Sequence, residues 1–423
     1  MSESAKRFDP LQALSRTRHE FGEHGGVNLS VEASTTFTVL SPETMPSLFE
    51  GRKGPEEGCY LYGRHFNPTV YVLGRQLAAI EATEAAYCTS SGMGAIAATL
   101  MQLCRAGEHL VAANTLYGGT FALMKDYFPR TTGVTTTFVN IDDLAAVEAA
   151  FRPNTRALYV ETVANPTLAV ADLPRLAEIA HRHGAKLVVD NTFSPMIVTP
   201  KLHGADIVIH SLTKFINGAS DIIAGAVCGS NEFVGSLMDL HTGSLMLLGP
   251  TMDPRMAFEI TLRLPHLALR MKEHSARAML FAERLEALGQ RVVYPGLKSH
   301  PHHARLAALC NDDYGFGGIL GIDLETEAQA NAFMRTLQND ENFGFLAVSL
   351  GYFETLMSLS AASTSSELGD DALTAAGIRR GYVRMSVGIT GNVEERWQQL
   401  ERALRRVGAL GGRSAAAGEA FAR

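Results

Sequence analysis

Cysteine is scarce: Cys59, Cys88, Cys104, Cys228 and Cys310 are the only five in 423 residues, an odd number without a Cys-x-x-Cys pair. This excludes a disulfide framework and a thiolate zinc site, and fits a reducing, cytoplasmic setting. Charge is also sparse, at 19% of residues, and 37 Lys and Arg fall short of 44 Asp and Glu, leaving a formal charge of −7 without any long basic block. Nucleic acid is therefore not expected as the main partner. Long apolar runs are missing too. The most apolar stretch, Ser244 to Pro250 with Leu245-Met246-Leu247-Leu248, falls far short of the roughly 18 residues that suggest a membrane span. Residues 1–26 are charged throughout and lack an apolar core followed by a small-residue cleavage site, so no signal peptide is expected. What remains, 46% hydrophobic and 8% aromatic, suits a large multi-layered globular enzyme and excludes collagen-like, coiled-coil and wholly disordered chains.

Along the chain, the first sixty or so residues mix short apolar stretches with clusters such as Gly51-Arg52-Lys53-Gly54-Pro55-Glu56-Glu57-Gly58, which reads as an extended arm. Regular patterning begins near Val70. Helices are expected through Leu77–Ile80, from Gly94 through Leu103, and from Leu173 to His183. Buried strands are expected at His109–Ala113, Thr137–Val139, Ala157–Val160, Lys186–Val189 and Ala205–Ile209. Such alternation implies an α/β fold with a mainly parallel sheet covered on both faces, and places ligand groups at the carboxyl ends of the strands. A long amphipathic stretch, Arg255 through Leu288, could bridge to a smaller α+β domain with strands at Ile319–Leu324 and Tyr382–Val387 and helices around Ala328–Leu337 and Val393–Val407. The small, polar residues 411–418 read as an unpacked tail.

The chemistry should therefore follow the strands. Asp190 comes directly after an apolar strand, and Lys214 comes just after the next one and the linker His210-Ser211-Leu212-Thr213. A carboxylate and a lysine at neighbouring strand ends suit pyridoxal phosphate, whose aldehyde condenses with a lysine and whose ring nitrogen a carboxylate keeps protonated. A surface salt bridge or a charge pair that holds substrate are the alternatives on spacing alone. Ser90-Ser91-Gly92-Met93-Gly94 opens a helix whose free N–H groups can take a phosphate, with the hydroxyls of Ser211 and Thr213 nearby; ordinary capping explains the same residues. Tyr117 follows a strand and can stack on a flat ring, or fill a core edge. His300-Pro301-His302-His303 lacks a carboxylate or thiol companion and reads as a solvent-facing loop, so no catalytic metal is expected. Cys88 reads as a small core residue.

Six segments stand in an order that identifies a family: Tyr62–Thr69, Ser90–Met93, Leu116–Gly118, Glu161–Thr167, Val189–Phe193 and His210–Lys214. Over roughly residues 15 to 410 the sequence resembles the Cys/Met-metabolism family of pyridoxal-phosphate enzymes. Within it, Arg18–Gly26, Gly243–Met252 and Gly351–Ser358 look most like plant-type methionine γ-lyases. The resemblance implies a fold-type I architecture: an arm over 1–69 making inter-subunit contacts, a cofactor-binding α/β domain with a seven-stranded-type sheet over 70–264, an α+β domain over 265–410 and a disordered tail over 411–423. It implies α,γ-elimination of L-methionine to methanethiol, 2-oxobutyrate and ammonia. O-acetyl- or O-succinylhomoserine sulfhydrylation and cystathionine chemistry are the alternatives within the family. A cofactor binder or scaffold without turnover is the alternative outside it.

By the same resemblance, Lys214 is the Schiff-base lysine and a proton carrier, Asp190 pairs with the ring nitrogen, and Tyr117 stacks on the ring and serves the leaving group. Asn165 meets the ring's 3-oxygen, while Ser91, Gly92, Met93, Ser211 and Thr213 hold the phosphate. Tyr62 and Arg64 reach a neighbouring subunit's phosphate within a homotetramer, a dimer of dimers with shared active sites. Arg384, assisted by Ser349, binds the substrate α-carboxylate; without the family, Arg384 reads as a charge on a strand edge. The sequence also departs from the family. Gly119 stands where well-known bacterial methionine γ-lyases carry a cysteine, their Lys-Asp pair falls on Asp239 and Leu240, and Leu359–Ser365 replaces their His-Pro-Ala-Ser. Gly218-Ala219-Ser220-Asp221 replaces the more usual Gly-His-Gly-Asp.

Overall fold

The computed structural model describes residues 8–17, 21–22, 24–360 and 379–410. The readings of residues 18–20, 23, 361–365 and 411–423 given above lie outside the described residues. The larger sheet has seven strands: β1 (Ala85–Thr89), β2 (His109–Ala113), β3 (Thr135–Val139), β4 (Thr155–Glu161), β5 (Lys186–Asp190), β6 (Ile207–His210) and β7 (Gly225–Gly229). Their order is β1-β7-β6-β5-β4-β2-β3, with β2 to β6 parallel and β7 antiparallel to both its neighbours. Leu110, Val111, Leu158, Val160, Val188 and Val189 are fully buried, as strands covered on both faces must be. Each such side chain contributes about 1.5–3 kcal/mol on leaving water.

Helix starts in this layer are fixed by local chemistry. Asn67 accepts from the N–H groups of Thr69 and Val70 and is followed by Pro68 at the head of helix Pro68–Ile80. Ser91 accepts from Gly94 N–H at the head of helix Gly92–Leu103, and Asp172 from Arg175 N–H at the head of Leu173–Arg182. These caps satisfy donors that a helix cannot pair internally. They also set the loops that precede each helix, which is where the site forms.

Two strands, β1 and β7, were not among those expected. Ala85-Ala86-Tyr87-Cys88-Thr89 and Gly225-Ala226-Val227-Cys228-Gly229 are short and rich in small residues, so their strand character comes from pairing with each other, Ala85 opposite Gly229 through Thr89 opposite Gly225. The stretch 255–288 is not one helix. It divides into Pro254–Arg263, a 3-10 turn Leu264–His266 and Leu267–Ala287, because Pro265 offers no N–H to continue the first segment.

The second sheet contains β8 (Arg291–Val293), β9 (Ile319–Asp323), β10 (Gly344–Leu346), β11 (Thr355–Leu359) and β12 (Tyr382–Ser386), ordered β10-β11-β12-β9-β8. Helices Glu327–Asn339 and Val393–Arg406 bury Phe333, Leu337, Trp397, Leu400 and Leu404 in its core. Helix Leu267–Ala287 joins the two cores: Leu267, Ala268 and Met271 pack in the first, and Ala278, Phe281, Ala282 and Leu285 in the second. Leu306, Leu309, Tyr314 and Ile319 belong to the first core although they come later in the chain.

The histidine cluster is a correction to the expected solvent-facing loop. His300, His302 and His303 are half-buried. The His302 ring accepts from Val170 N–H at 3.0 Å and lies 3.3 Å from the Asp142 carboxylate, while His303 donates to the Pro295 carbonyl. Imidazole nitrogens that satisfy backbone groups draw the segment onto the protein.

Candidate active site

The carboxyl ends of β2, β4, β5 and β6 open on a cavity of about 250 Å³, walled by Ser91, Gly92 and Met93 on one side and by Val348, Leu350 and Arg384 on the other. Tyr117, Glu161, Asn165, Asp190, Ser211, Thr213 and Lys214 also line it. This is where an open α/β sheet places its ligands. Of the residues to which the resemblance gives a catalytic, cofactor-binding or substrate-binding role, Tyr62, Arg64 and Ser349 are absent from the wall. Ser349 nevertheless touches the site, because Lys214 Nζ donates to its Oγ at 2.9 Å.

Lys214 follows β6 in a tight turn, its own N–H bonded to the Ser211 carbonyl and Gly218 N–H bonded to the Lys214 carbonyl. Burial, helped by the Arg384 charge, lowers its ammonium to about 8. An ordinary lysine near 10.4 would hold about 200 times less free amine at neutral pH. A lysine condenses with an aldehyde only as the free amine, so loading of an aldehyde cofactor at Lys214 should accelerate as pH rises and level off above about 8, and stopped-flow absorbance would show it. A profile still climbing toward 10 would mean a solvated lysine.

Arg384 lies in the middle of β12, 2% exposed, between Ser358 and Gly321 on the neighbouring strands. It is therefore not the edge charge that its strand pattern suggests by itself. Its Nη1 donates to Asn165 Oδ1 at 2.9 Å and its Nη2 to the Ser349 carbonyl at 3.1 Å, while Nε is buried without a partner among the described residues. With Asn165 Oδ1 occupied by arginine, the amide's Nδ2 is the end left for a ligand oxygen. Burial lowers Arg384 to about 10, so it stays charged at neutral pH.

Asp190 and Glu161 are opposite partners on β5 and β4. Asp190 accepts from Thr192 N–H at 2.9 Å and from the Tyr159 hydroxyl at 3.3 Å. Glu161 accepts from Tyr117 N–H at 2.7 Å and Asn165 N–H at 2.8 Å. Burial raises both carboxyls, Glu161 to about 8 with the Asp190 charge adding to the effect. Two buried acids side by side favour a cationic group in the space above them.

The residues fit pyridoxal phosphate on several counts. The N–H groups of Gly92 and Met93, which precede the first pairing of helix Gly92–Leu103, suit a dianionic phosphate. A Cβ at Gly92 would lie 2.9 Å from Ser211 Cβ, so only glycine lets these two walls approach. The Thr213 hydroxyl is bonded to the Ala224 backbone, donating to its carbonyl and accepting from its N–H. The acid pair suits a protonated ring nitrogen, and Lys214 suits an aldehyde.

Tyr62 and Arg64 lie elsewhere in the single chain, with the guanidinium 5.3 Å from the Tyr62 ring centre and Tyr62 itself exposed. Asp239 caps an exposed turn through His241 and Thr242 N–H and takes no part in the cavity. Asp221 pairs with both terminal nitrogens of Arg263, and Gly218 adopts a φ of 75°. The sequence reading missed Glu161 and the apolar wall of Val163, Phe193, Ile223, Val348 and Leu350. Glu161 had one available signal, a charged residue closing an apolar strand immediately beside the strand that ends in Asp190.

An open sheet with a desolvated lysine, a buried acid pair and a glycine-led helix start around one cavity is the architecture of a fold-type I pyridoxal-phosphate enzyme. The defining pattern of the Cys/Met metabolism PLP-dependent enzymes matches residues 12–405, and the chain belongs to that family. It is 58% identical over 400 residues to a methionine gamma-lyase of Arabidopsis thaliana, covering 94% of this chain and 91% of that one. An L-methionine gamma-lyase of Fusobacterium nucleatum subsp. polymorphum is 41% identical over 91% of this chain and 95% of its own length. A crystal structure of cystathionine gamma synthase from Xanthomonas oryzae pv. oryzae superimposes with a TM-score of 0.84 at 32% identity, covering 96% of this chain and all of that one.

Proposed function

We propose that the chain is a methionine γ-lyase, converting L-methionine and water to methanethiol, 2-oxobutyrate and ammonia. The observation that carries this reading is the 58% identity to the Arabidopsis methionine gamma-lyase across 94% of the chain, together with a cavity that contains the required lysine, acid and arginine. Bound pyridoxal phosphate supplies the electron sink for the pair left when a substrate Cα proton departs.

The protein's own groups do the rest. Lys214 would hold the aldehyde carbon, Asp190 the ring nitrogen, Asn165 Nδ2 the 3-oxygen, and Ser91, Gly92, Met93, Ser211 and Thr213 the phosphate. Arg384 takes the substrate carboxylate with the donors now shared with Asn165 and Ser349, since a planar guanidinium suits a carboxylate. Lys214, once its amine is free, removes the Cα proton, a role its lowered pKa supports. Tyr117, 44% exposed and lining the cavity, gives a proton to the departing sulfur. The apolar wall suits a thioether better than a charged side chain. Purified holoenzyme supplied with L-methionine alone should release methanethiol and 2-oxobutyrate in equal amounts, which thiol and keto-acid assays would show; absence of both would refute the reading.

Gly119 bears on the leaving group. A Cβ there would lie 2.7 Å from Tyr117 Cε1, so a side chain must push the ring aside. Gly119→Cys should therefore lower kcat/KM for methionine by roughly tenfold or more, since a 1 Å misplacement costs up to about 10². The half-exposed ring can swing into solvent, so Tm should barely change. Steady-state kinetics beside a thermal melt would separate the two effects.

The reading extends to the assembly: a homotetramer built from dimers, with Tyr62 and Arg64 completing a neighbour's phosphate site. Their position outside their own cavity supports it. Chains carrying Arg64→Ala and chains carrying Lys214→Ala should each be nearly inactive alone. Co-expression should restore about a quarter of wild-type activity, because half the dimers are hybrids with one intact site of two. No recovery would mean that Arg64 serves its own chain. The arm over 1–69, the cofactor domain over 70–264 and the domain over 265–410 are the divisions this assembly uses. Five free thiols support a cytoplasmic location.

A further inference from the structure

Glu161 is 6% exposed, closes β4, and lines the cavity without an obvious chemical task. Its two oxygens are divided between two loops. Oε1 accepts from the N–H of Tyr117, four residues beyond the end of β2, and Oε2 from the N–H of Asn165, four residues beyond the end of β4. Both residues line the cavity, and Asn165 is held further by Arg384. A buried carboxyl beside Asp190 is costly, and of the side chains of this length only a carboxyl offers an acceptor to both N–H groups.

We propose that Glu161 is a positioning residue that sets the Tyr117 ring and the Asn165 amide together on the cofactor, through one carboxyl group bonded to both backbones. The assignment rests on the cofactor occupying this cavity and not on methionine being the substrate. No bond is made or broken at Glu161 itself. Its effect is to fix the ring that covers the cofactor and the donor that meets the 3-oxygen in one register. Glutamine at this position would turn an NH₂ toward one of the two N–H groups and release that loop. Aspartate keeps the carboxyl but, one methylene shorter, reaches only one N–H.

The test uses the holoenzyme without substrate. A chiral, fixed environment gives the bound cofactor visible circular dichroism, which Tyr117 and Asn165 would impose. Glu161→Gln should lose at least about half of that ellipticity per bound cofactor, with cofactor still bound, and Glu161→Asp should lose less. With methionine, kcat should fall about 10–100-fold while KM stays within about threefold, as for loss of orientation rather than of binding. Unchanged visible ellipticity in either folded holo-variant overturns the proposal, whatever happens to Tm or kcat. If Glu161→Gln does not fold, Glu161→Asp decides alone. If methionine is not turned over by the wild type, the ellipticity readings still stand.

Discussion

Replacing Lys214 with alanine should reduce turnover of methionine by more than about 10⁴-fold. General-base action alone contributes about 10²–10⁴, and in the proposed mechanism this one amine also holds the cofactor. Its environment is prepared for both: burial and the Arg384 charge bring it to about 8, and Ser349 Oγ fixes it at 2.9 Å. The proposed phosphate site at the head of helix Gly92–Leu103, Asn165 and Asp190 are held by bonds that do not involve Lys214. The variant should therefore still bind cofactor weakly, visible as absorbance that borohydride does not fix to the chain. Turnover near the wild-type level would remove Lys214 from the mechanism.

Asp190→Asn should cost about 10²–10³ in kcat, comparable to the loss of one preorganised electrostatic partner at a developing charge. The cofactor-free protein should respond in the opposite direction. Burial raises the Asp190 carboxyl above its ordinary range, with Glu161 as its ladder neighbour. An acid whose pKa is raised by folding ionises more readily when unfolded. Its penalty to stability therefore grows as pH climbs above the usual carboxylate range. Asparagine removes that penalty while its Oδ1 can still accept from Thr192 N–H. The apoprotein Tm should be equal to or higher than wild type near pH 8, with the gain shrinking toward pH 4. A large loss of apoprotein stability at pH 8 would mean that Asp190 is structural. Activity gained at the expense of stability is common at such sites.

Strand ends made Asp190 and Lys214 legible from sequence, because the runs Lys186–Val189 and Ala205–Ile209 are apolar enough to be buried and each is followed by polar residues. The strands β2 to β6 were readable for the same reason. β1 and β7 were not, since glycine and alanine carry no strand pattern and their identity lies in mutual pairing across more than a hundred residues of chain. Arg384 shows the opposite limit. A charge in a strand reads as solvent-facing, and only the three-dimensional meeting with Asn165 and Ser349 justifies its burial. Glu161 stands within one of the family's segments but its role carries no sequence signal of its own, because what it meets, the N–H groups of Tyr117 and Asn165, is backbone and not a side-chain pattern. The histidines at 300–303 misled in the same way, their partners Val170, Asp142 and Pro295 being invisible to spacing.

The family's γ-elimination and γ-replacement share the residues described above and differ in whether water or a thiol takes the place of the departing sulfur. The most direct test compares holoenzyme given L-methionine alone with holoenzyme given O-acetylhomoserine and sulfide, assaying methanethiol, 2-oxobutyrate and homocysteine. The proposed lyase gives methanethiol and 2-oxobutyrate from methionine alone. Homocysteine from the second mixture, with methionine left intact in the first, would contradict it and make the protein a sulfhydrylase.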